Sequence, residues 1–172
     1  CGRTRCFSSS SRRPAPGQPG LRQRAQGQRE QDDAALDQEE LRIMQKACDI
    51  TADMHITAMK ILRPGMREWE VSAAMEAVAH AAGGDLSFAT IATVNGQTLH
   101  NHYHGNTVKP GDLFLIDAGA ETEMGYAGDM SSTIPADKKF TQRQREVYEI
   151  QNAMHLESVK ALRPGIPYMD VY

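Results

Sequence analysis

The chain has 172 residues, 40% of them hydrophobic, with a formal net charge of −3, enough for one domain with a real core. Charge is uneven: residues 1–29 hold seven arginines and no acid, while residues 30–172 hold 12 basic against 22 acidic side chains. An acidic body lacks the positive footprint that phosphate contacts need, and no apolar run nears the ~20 residues that cross a bilayer, so neither nucleic acid nor a membrane is expected as partner.

Residues 1–35 are mostly Ser, Pro, Gly, Gln and Arg, a composition that cannot offset the entropy of ordering it. The segment is expected to be disordered or non-native. It superficially resembles an organelle transit peptide but has no amphipathic period and no initiating Met, so a linker or a stray terminus is the preferred reading. Cys1, Cys6 and Cys48, an odd set without CxxC spacing, fit a reduced setting, and a cytoplasmic location is expected.

From residue 36 the pattern is that of a folded α+β domain. Asp37 and Glu40 are spaced as a capping pair, and Leu41, Met44, Cys48, Met54, Ala58, Ile61 and Leu62 give helical spacing up to Pro64-Gly65. A second helix, rich in Ala and Met, is predicted from Glu68 to Ala82, closed by Gly83-Gly84. Strand follows over Phe88 to Val94, with Asn95-Gly96 as a turn signal. Thr141 and Gln144 form another capping spacing, opening a third helix with Val147, Ile150, Met154 and Val159 on its apolar positions.

Before that last helix lies the stretch from Gly111 to Asp129, where apolar residues lead into Asp117, a turn-rich segment follows, and Asp129 comes twelve residues after Asp117. The pattern reads as a β-hairpin. With its centre near Glu123, the two aspartates fall opposite each other on one face, with paired Cβ atoms ~5 Å apart. Two facing carboxylates suit metal ions. The bland alternative is an exposed hairpin with ordinary polar residues, but Asp117 follows the apolar run Leu113 to Ile116, where burying a carboxylate without a role is costly.

Residues 50–71 can be laid on 150–171 without a gap, and nine of the 22 positions are identical. Ile50, Met54, His55, Lys60, Leu62, Arg63, Pro64, Gly65 and Val71 recur at an offset of one hundred, against roughly one or two matches by chance. The chain is internally duplicated. A helix–Arg-Pro-Gly–helix unit begins again at Ile150 and reaches its second helix by Tyr172, so a second hairpin facing the first is expected, with the site between them.

The stretch IDAGAETEMGYAGDMSSTIP, followed by KFTQRQREVYEIQ, resembles the aminopeptidase P and prolidase branch of the pita-bread metallopeptidases. The resemblance covers residues 38–172. It implies the pita-bread fold of two pseudo-symmetric α+β halves, with the first half and the start of the second present, so that residues 36–172 are a truncated metallopeptidase catalytic domain. It further implies that Asp117 and Asp129 are two of five ligands to a dinuclear centre, one bidentate and one bridging. Manganese is the first choice of metal, with cobalt, zinc or iron permitted by the oxygen-rich donors. The pair of ions would share a hydroxide that attacks the scissile carbonyl, while one of them polarises the carbonyl oxygen. One histidine and two glutamates are expected beyond Tyr172. Where the family commonly has Thr-Arg-Thr, this chain has Ser131-Ser132-Thr133.

His100, His102 and His104 alternate, which would place their rings on one side of an extended segment and by itself suggests a zinc site. The resemblance implies a different part: one histidine here contacts substrate and helps stabilise the tetrahedral intermediate. His100, seventeen residues before Asp117 and preceded by Leu99, is preferred over His102. His104 reads as a loop residue, and His55 and His155 as packing or exposed positions. The activity implied is hydrolysis of the N-terminal Xaa-Pro bond of a peptide with proline second, by a protein that is a homo-oligomer when complete. The alternatives are a prolidase acting on Xaa-Pro dipeptides and a non-catalytic pita-bread module that binds peptide or protein.

Overall fold

The computed structural model describes residues 38–171; the expected disordered segment 1–35 and the Asp37 half of the first capping pair lie outside them. Helix α1 runs Gln38–Ile61 and buries Ala47, Thr51, Met54, His55 and Ala58. Those positions recur every three or four residues, so they form one stripe facing the core. Glu39 and Glu40 in the first turn and Lys60 in the last complement the helix dipole. Pro64 disfavours helical geometry at Arg63, and Gly65 takes φ 95°, which ends the run. Helix α2, Glu68–Ala81, buries Glu68, Val71, Ser72, Met75 and Ala79, and Gly83 at φ 85° closes it.

Five short strands follow: β1 (Asp85–Leu86), β2 (Ile91–Thr93), β3 (Leu113–Ala118), β4 (Ala120–Glu121) and β5 (Met130–Pro135). They form a three-stranded antiparallel sheet in the order β2-β3-β5 and a two-stranded pairing of β1 with β4. Along β3 burial alternates, with Phe114, Ile116 and Ala118 buried and Leu113, Leu115 and Asp117 only partly so. The buried set packs with Met54, Ala58 and Leu62 of α1 and Val71 and Met75 of α2, so both helices cover one face of the sheet.

The strand expected from Phe88 to Val94 is shorter than its apolar pattern. Val94 N is taken by Glu68 Oε1 at 2.8 Å and Asn95 N by Thr93 Oγ1 at 2.9 Å, so the ladder has no donors to continue with. Asn95-Gly96 does form a turn, closed by Thr98 N to Asn95 O at 2.9 Å, but the turn leads into a loop and the strand partner arrives only at β3.

Helix α3, Gln142–Ala161, opens with the expected capping box: Thr141 Oγ1 accepts from Gln144 N at 3.3 Å and Gln144 Oε1 from Thr141 N at 2.9 Å. The repeat is visible in the backbone. Leu62 N bonds to Ala58 O and Leu162 N to Ser158 O, Met66 N to Arg63 O and Ile166 N to Arg163 O, and Gly65 and Gly165 both have positive φ. Burial separates the copies: Met54 and Leu62 are 0% and 1% exposed, Met154 and Leu162 59% and 56%. Helix α3 buries none of its residues, and with Leu113, Leu115, Thr133 and Phe140 it borders an open groove of about 580 Å³.

Candidate metal centre

The hairpin that carries the aspartates is set by its turn. Thr122 N donates to Tyr126 O at 2.9 Å and Gly125 N to Thr122 O at 2.8 Å, leaving Glu123, Met124 and Gly125 as the loop, with Gly125 at φ 79°. A three-residue loop whose last residue is left-handed is a common hairpin closure, and glycine is the residue that takes that conformation without strain. The loop centres on Met124, one residue past the position expected from sequence. Asp117 is consequently paired with Ser131. The register continues through Gly128 N to Ala120 O at 2.8 Å and the Glu121–Ala127 bridge, which sets Asp129 across from Gly119. The slip is two residues, an even number, so both carboxylates keep the same face but become diagonal neighbours with Cα atoms on the order of 7–8 Å apart, and not direct partners.

Two glycines seat the hairpin. A Cβ on Gly119 would collide with the Gly128 carbonyl oxygen, and one on Gly128 would collide with Thr51 Oγ1 and stand 2.8 Å from Ala47 O. Backbone therefore lies directly on α1. Thr51 Oγ1 donates to Ala47 O at 2.8 Å and accepts from Ala120 N at 2.9 Å, tying the helix to the strand just beyond Asp117. Ser87 Oγ donates to Gly128 O at 2.7 Å, holding the residue before Asp129.

Asp117 is half-buried and its Oδ1 accepts from Ser131 Oγ at 3.0 Å; Asp129 is exposed and makes no side-chain bond to any described residue. Beneath them lies His55, 1% exposed. Its Nε2 is 3.3 Å from Ala118 O and its Nδ1 2.7 Å from Ser132 Oγ, which fits a neutral ring donating from Nε2 and accepting at Nδ1. Burial lowers its pKa below the ordinary value, against the Ala118 carbonyl, the Asp117 charge and the Met130 backbone, all of which raise it. His55 thus braces β3 and β5 from below, a packing role; what sequence did not reveal is that the ring ties β3, which carries Asp117, to β5, which directly follows Asp129.

The histidine segment is not extended. Leu99 and His100 lie in a turn, His100 at φ 52°, and residues 101–106 have no regular structure, so the alternation does not align three rings. His104 turns inward, its Nε2 3.0 Å from Thr90 O. His100 and His102 are exposed, and neither side chain bonds to Asp117, Asp129 or another described residue. His155 is exposed on α3.

As a donor set, Asp117 and Asp129 offer hard oxygens from one face of the hairpin, which fits an oxygen-preferring divalent cation such as manganese. They fill part of a coordination sphere only. Among the described residues no group of three or more His, Cys, Asp and Glu is placed to hold a metal.

Two helices cover a three-stranded sheet whose hairpin carries Asp117 and Asp129 on one face. Residues 42–172 match metallopeptidase family M24, and the chain belongs to that family. Among its relatives, the Xaa-Pro aminopeptidase of Escherichia coli K12 is 38% identical over 136 residues, 77% of this chain and 31% of that protein. A probable Xaa-Pro aminopeptidase of Emericella nidulans is 34% identical over 145 residues, 79% of this chain and 31% of its own length. The structure is similar to zinc-substituted E. coli aminopeptidase P in complex with product, with a TM-score of 0.75 at 37% identity, covering 79% of this chain and 31% of that one. Proline aminopeptidase P II from Yersinia pestis gives a TM-score of 0.73 at 36% identity, covering 79% and 32%. The fold is the α+β pita-bread fold of these enzymes. The chain spans about 31% of the length of these curated relatives.

Proposed function

We propose that the chain contributes the first half of the catalytic domain of a metal-dependent exopeptidase that cleaves the N-terminal Xaa-Pro bond of peptides. The observation that carries this reading is the pair Asp117 and Asp129 on one face of a hairpin seated on α1, in a chain 38% identical to an Xaa-Pro aminopeptidase. In this reading residues 36–172 belong to the catalytic domain, and Asp117 and Asp129 hold two divalent ions, manganese first. When bound, such a pair acidifies a water and polarises a carbonyl near neutral pH. The residues of this chain supply orientation. Ser131 Oγ, donating to Asp117 Oδ1, orients that carboxylate while each of its oxygens keeps a lone pair for a metal, and no described side chain bonds to Asp129. His100, solvent-facing and unpaired, is the residue assigned to the substrate, where an imidazole N–H can donate to a carbonyl oxygen as charge develops on it. A homo-oligomer is part of the proposal, and so is a cytoplasmic location, which the free, exposed Cys48 supports. No helix among the described residues is long and apolar enough to cross a membrane.

The test is the full-length protein loaded with manganese and given an Xaa-Pro-Xaa peptide. Release of the first residue is expected, with loss of both bound metal and activity in Asp117→Asn and in Asp129→Asn. Cleavage of Xaa-Pro dipeptides alone would assign a prolidase, and peptide binding without cleavage would assign a non-catalytic module.

A further inference from the structure

One buried carboxylate joins both ends of the loop that carries His100. Glu68, the first residue of α2, is 0% exposed. Its Oε1 accepts from Thr93 Oγ1 at 2.9 Å and from Val94 N at 2.8 Å, where the chain leaves β2. Its Oε2 accepts from Asn106 N and from Asn106 Nδ2, both at 2.9 Å, where the loop returns. Each oxygen serves one end of the segment 95–105. The residues beside Glu68 reinforce the returning end only: Glu68 N donates to Asn106 O and Trp69 N to His104 O, both at 3.1 Å, and Arg67 Nη1 to Thr107 Oγ1 at 3.0 Å. Among the described residues Glu68 alone bonds to both Val94 and Asn106.

Charge makes this an unusual place for a glutamate. No cation faces the buried carboxylate among the described residues; four hydrogen bonds satisfy it instead. Bonds to an ionised acceptor are roughly twice as strong as neutral ones and fix geometry tightly. At the middle of the loop His100 has φ 52° and no side-chain bond to any described residue. With no side-chain bond of its own, His100 depends on the loop backbone for its position, and Glu68 fixes both ends of that loop.

We propose that Glu68 is a positioning residue for the peptidase reaction: by pinning Val94 and Asn106 it presents His100 to a peptide bound beside Asp117 and Asp129. The inference rests on the assignment of His100 to the substrate made above. Glu68 does not touch substrate; it acts through the loop.

The test uses the full-length, metal-loaded protein and two readouts. Glu68→Gln keeps the size but turns one acceptor into a donor facing backbone N–H groups, so amide hydrogen exchange is expected to speed up over residues 94–106 and stay unchanged in the β3–β5 ladder. On an Xaa-Pro-Xaa peptide, kcat/KM should fall up to ~10²-fold, the scale on which misplacement far from the chemistry acts. In a His100→Ala background the same change should cost no more than about threefold, because residues acting as a unit are not additive. Multiplicative losses in the double variant, or faster exchange throughout the domain, would overturn the proposal. Should Glu68→Gln fail to fold, Asn106→Ala removes one of the four bonds, and the same confined exchange and the same non-additivity with His100→Ala are required of it. If the wild type cleaves no Xaa-Pro peptide, the functional reading fails, while unchanged exchange over 94–106 in Glu68→Gln still sinks the loop-pinning role separately.

Discussion

Asp117 stands across the hairpin from Ser131, whose hydroxyl donates to its Oδ1 at 3.0 Å. One carboxylate oxygen is thereby oriented by the strand next to it. Partners that orient metal-binding side chains typically change metal affinity 10–100-fold when removed. Because Ser131 is exposed and a hydroxyl can be replaced by water, Ser131→Ala is expected at the low end, about a tenfold rise in the manganese dissociation constant, with the fold intact. Calorimetric titration of the metal checks it; an unchanged constant would remove Ser131 from the site.

The seat of the hairpin gives a second expectation. Gly128→Ala places a methyl group against Thr51 Oγ1 and the Ala47 carbonyl, and the latter is helix backbone that cannot step aside. Overpacking of this kind costs about 1–3 kcal/mol. A lowered urea midpoint is expected, and Thr51→Ala in the same chain should restore only part of it, since the Ala47 contact persists. Full rescue by Thr51→Ala would show that the helix backbone does not seat the hairpin.

Much of this fold was legible in the sequence because local signals and burial agreed. The Thr141–Gln144 capping box and the Pro64-Gly65 stop appear as the pattern predicts, and Met54, Ala58 and Leu62 of the expected α1 stripe are buried, whereas Leu41 and Cys48 of that stripe are exposed. The register was not, for a physical reason: Gly125 in a left-handed conformation selects a three-residue loop, and moving the centre by one residue shifts every pair by two. Face survives such a slip and direct pairing does not, so the two carboxylates share one surface, as the hairpin pattern expects, but do not stand opposite each other. The strand β2 ended early because Glu68 captured its donors, a contact between residues far apart in sequence that no periodicity reports. The same contact hid the role of Glu68, which sequence placed only at a helix start.

The duplicated unit yields a third prediction from its unequal burial. Leu62 is 1% exposed in the core and Leu162, its counterpart, 56% exposed. In the 172-residue chain, Leu62→Ala is expected to cost about 2–5 kcal/mol and Leu162→Ala less than about 0.5 kcal/mol, measured by urea unfolding. Equal costs would mean that α3 is packed in solution as α1 is.

Glu68 also carries a pH dependence whose sign follows from its bonds. Burial alone raises the carboxyl pKa, but the hydrogen bonds from Val94, Asn106 and Thr93 outweigh it and leave the value below the ordinary 4.5. The unfolded chain therefore takes up this proton at higher pH than the folded one does. The stabilisation is fully present above about pH 4.5 and is lost as pH falls through the folded value. Thermal unfolding between neutral pH and pH 3.5 should show Glu68→Gln well below wild type at pH 7, with the gap narrowing only below about 4.5. A gap that stays constant to pH 3.5 would mean that Glu68 is not held as a carboxylate by the loop, and that its four bonds do not set where His100 sits.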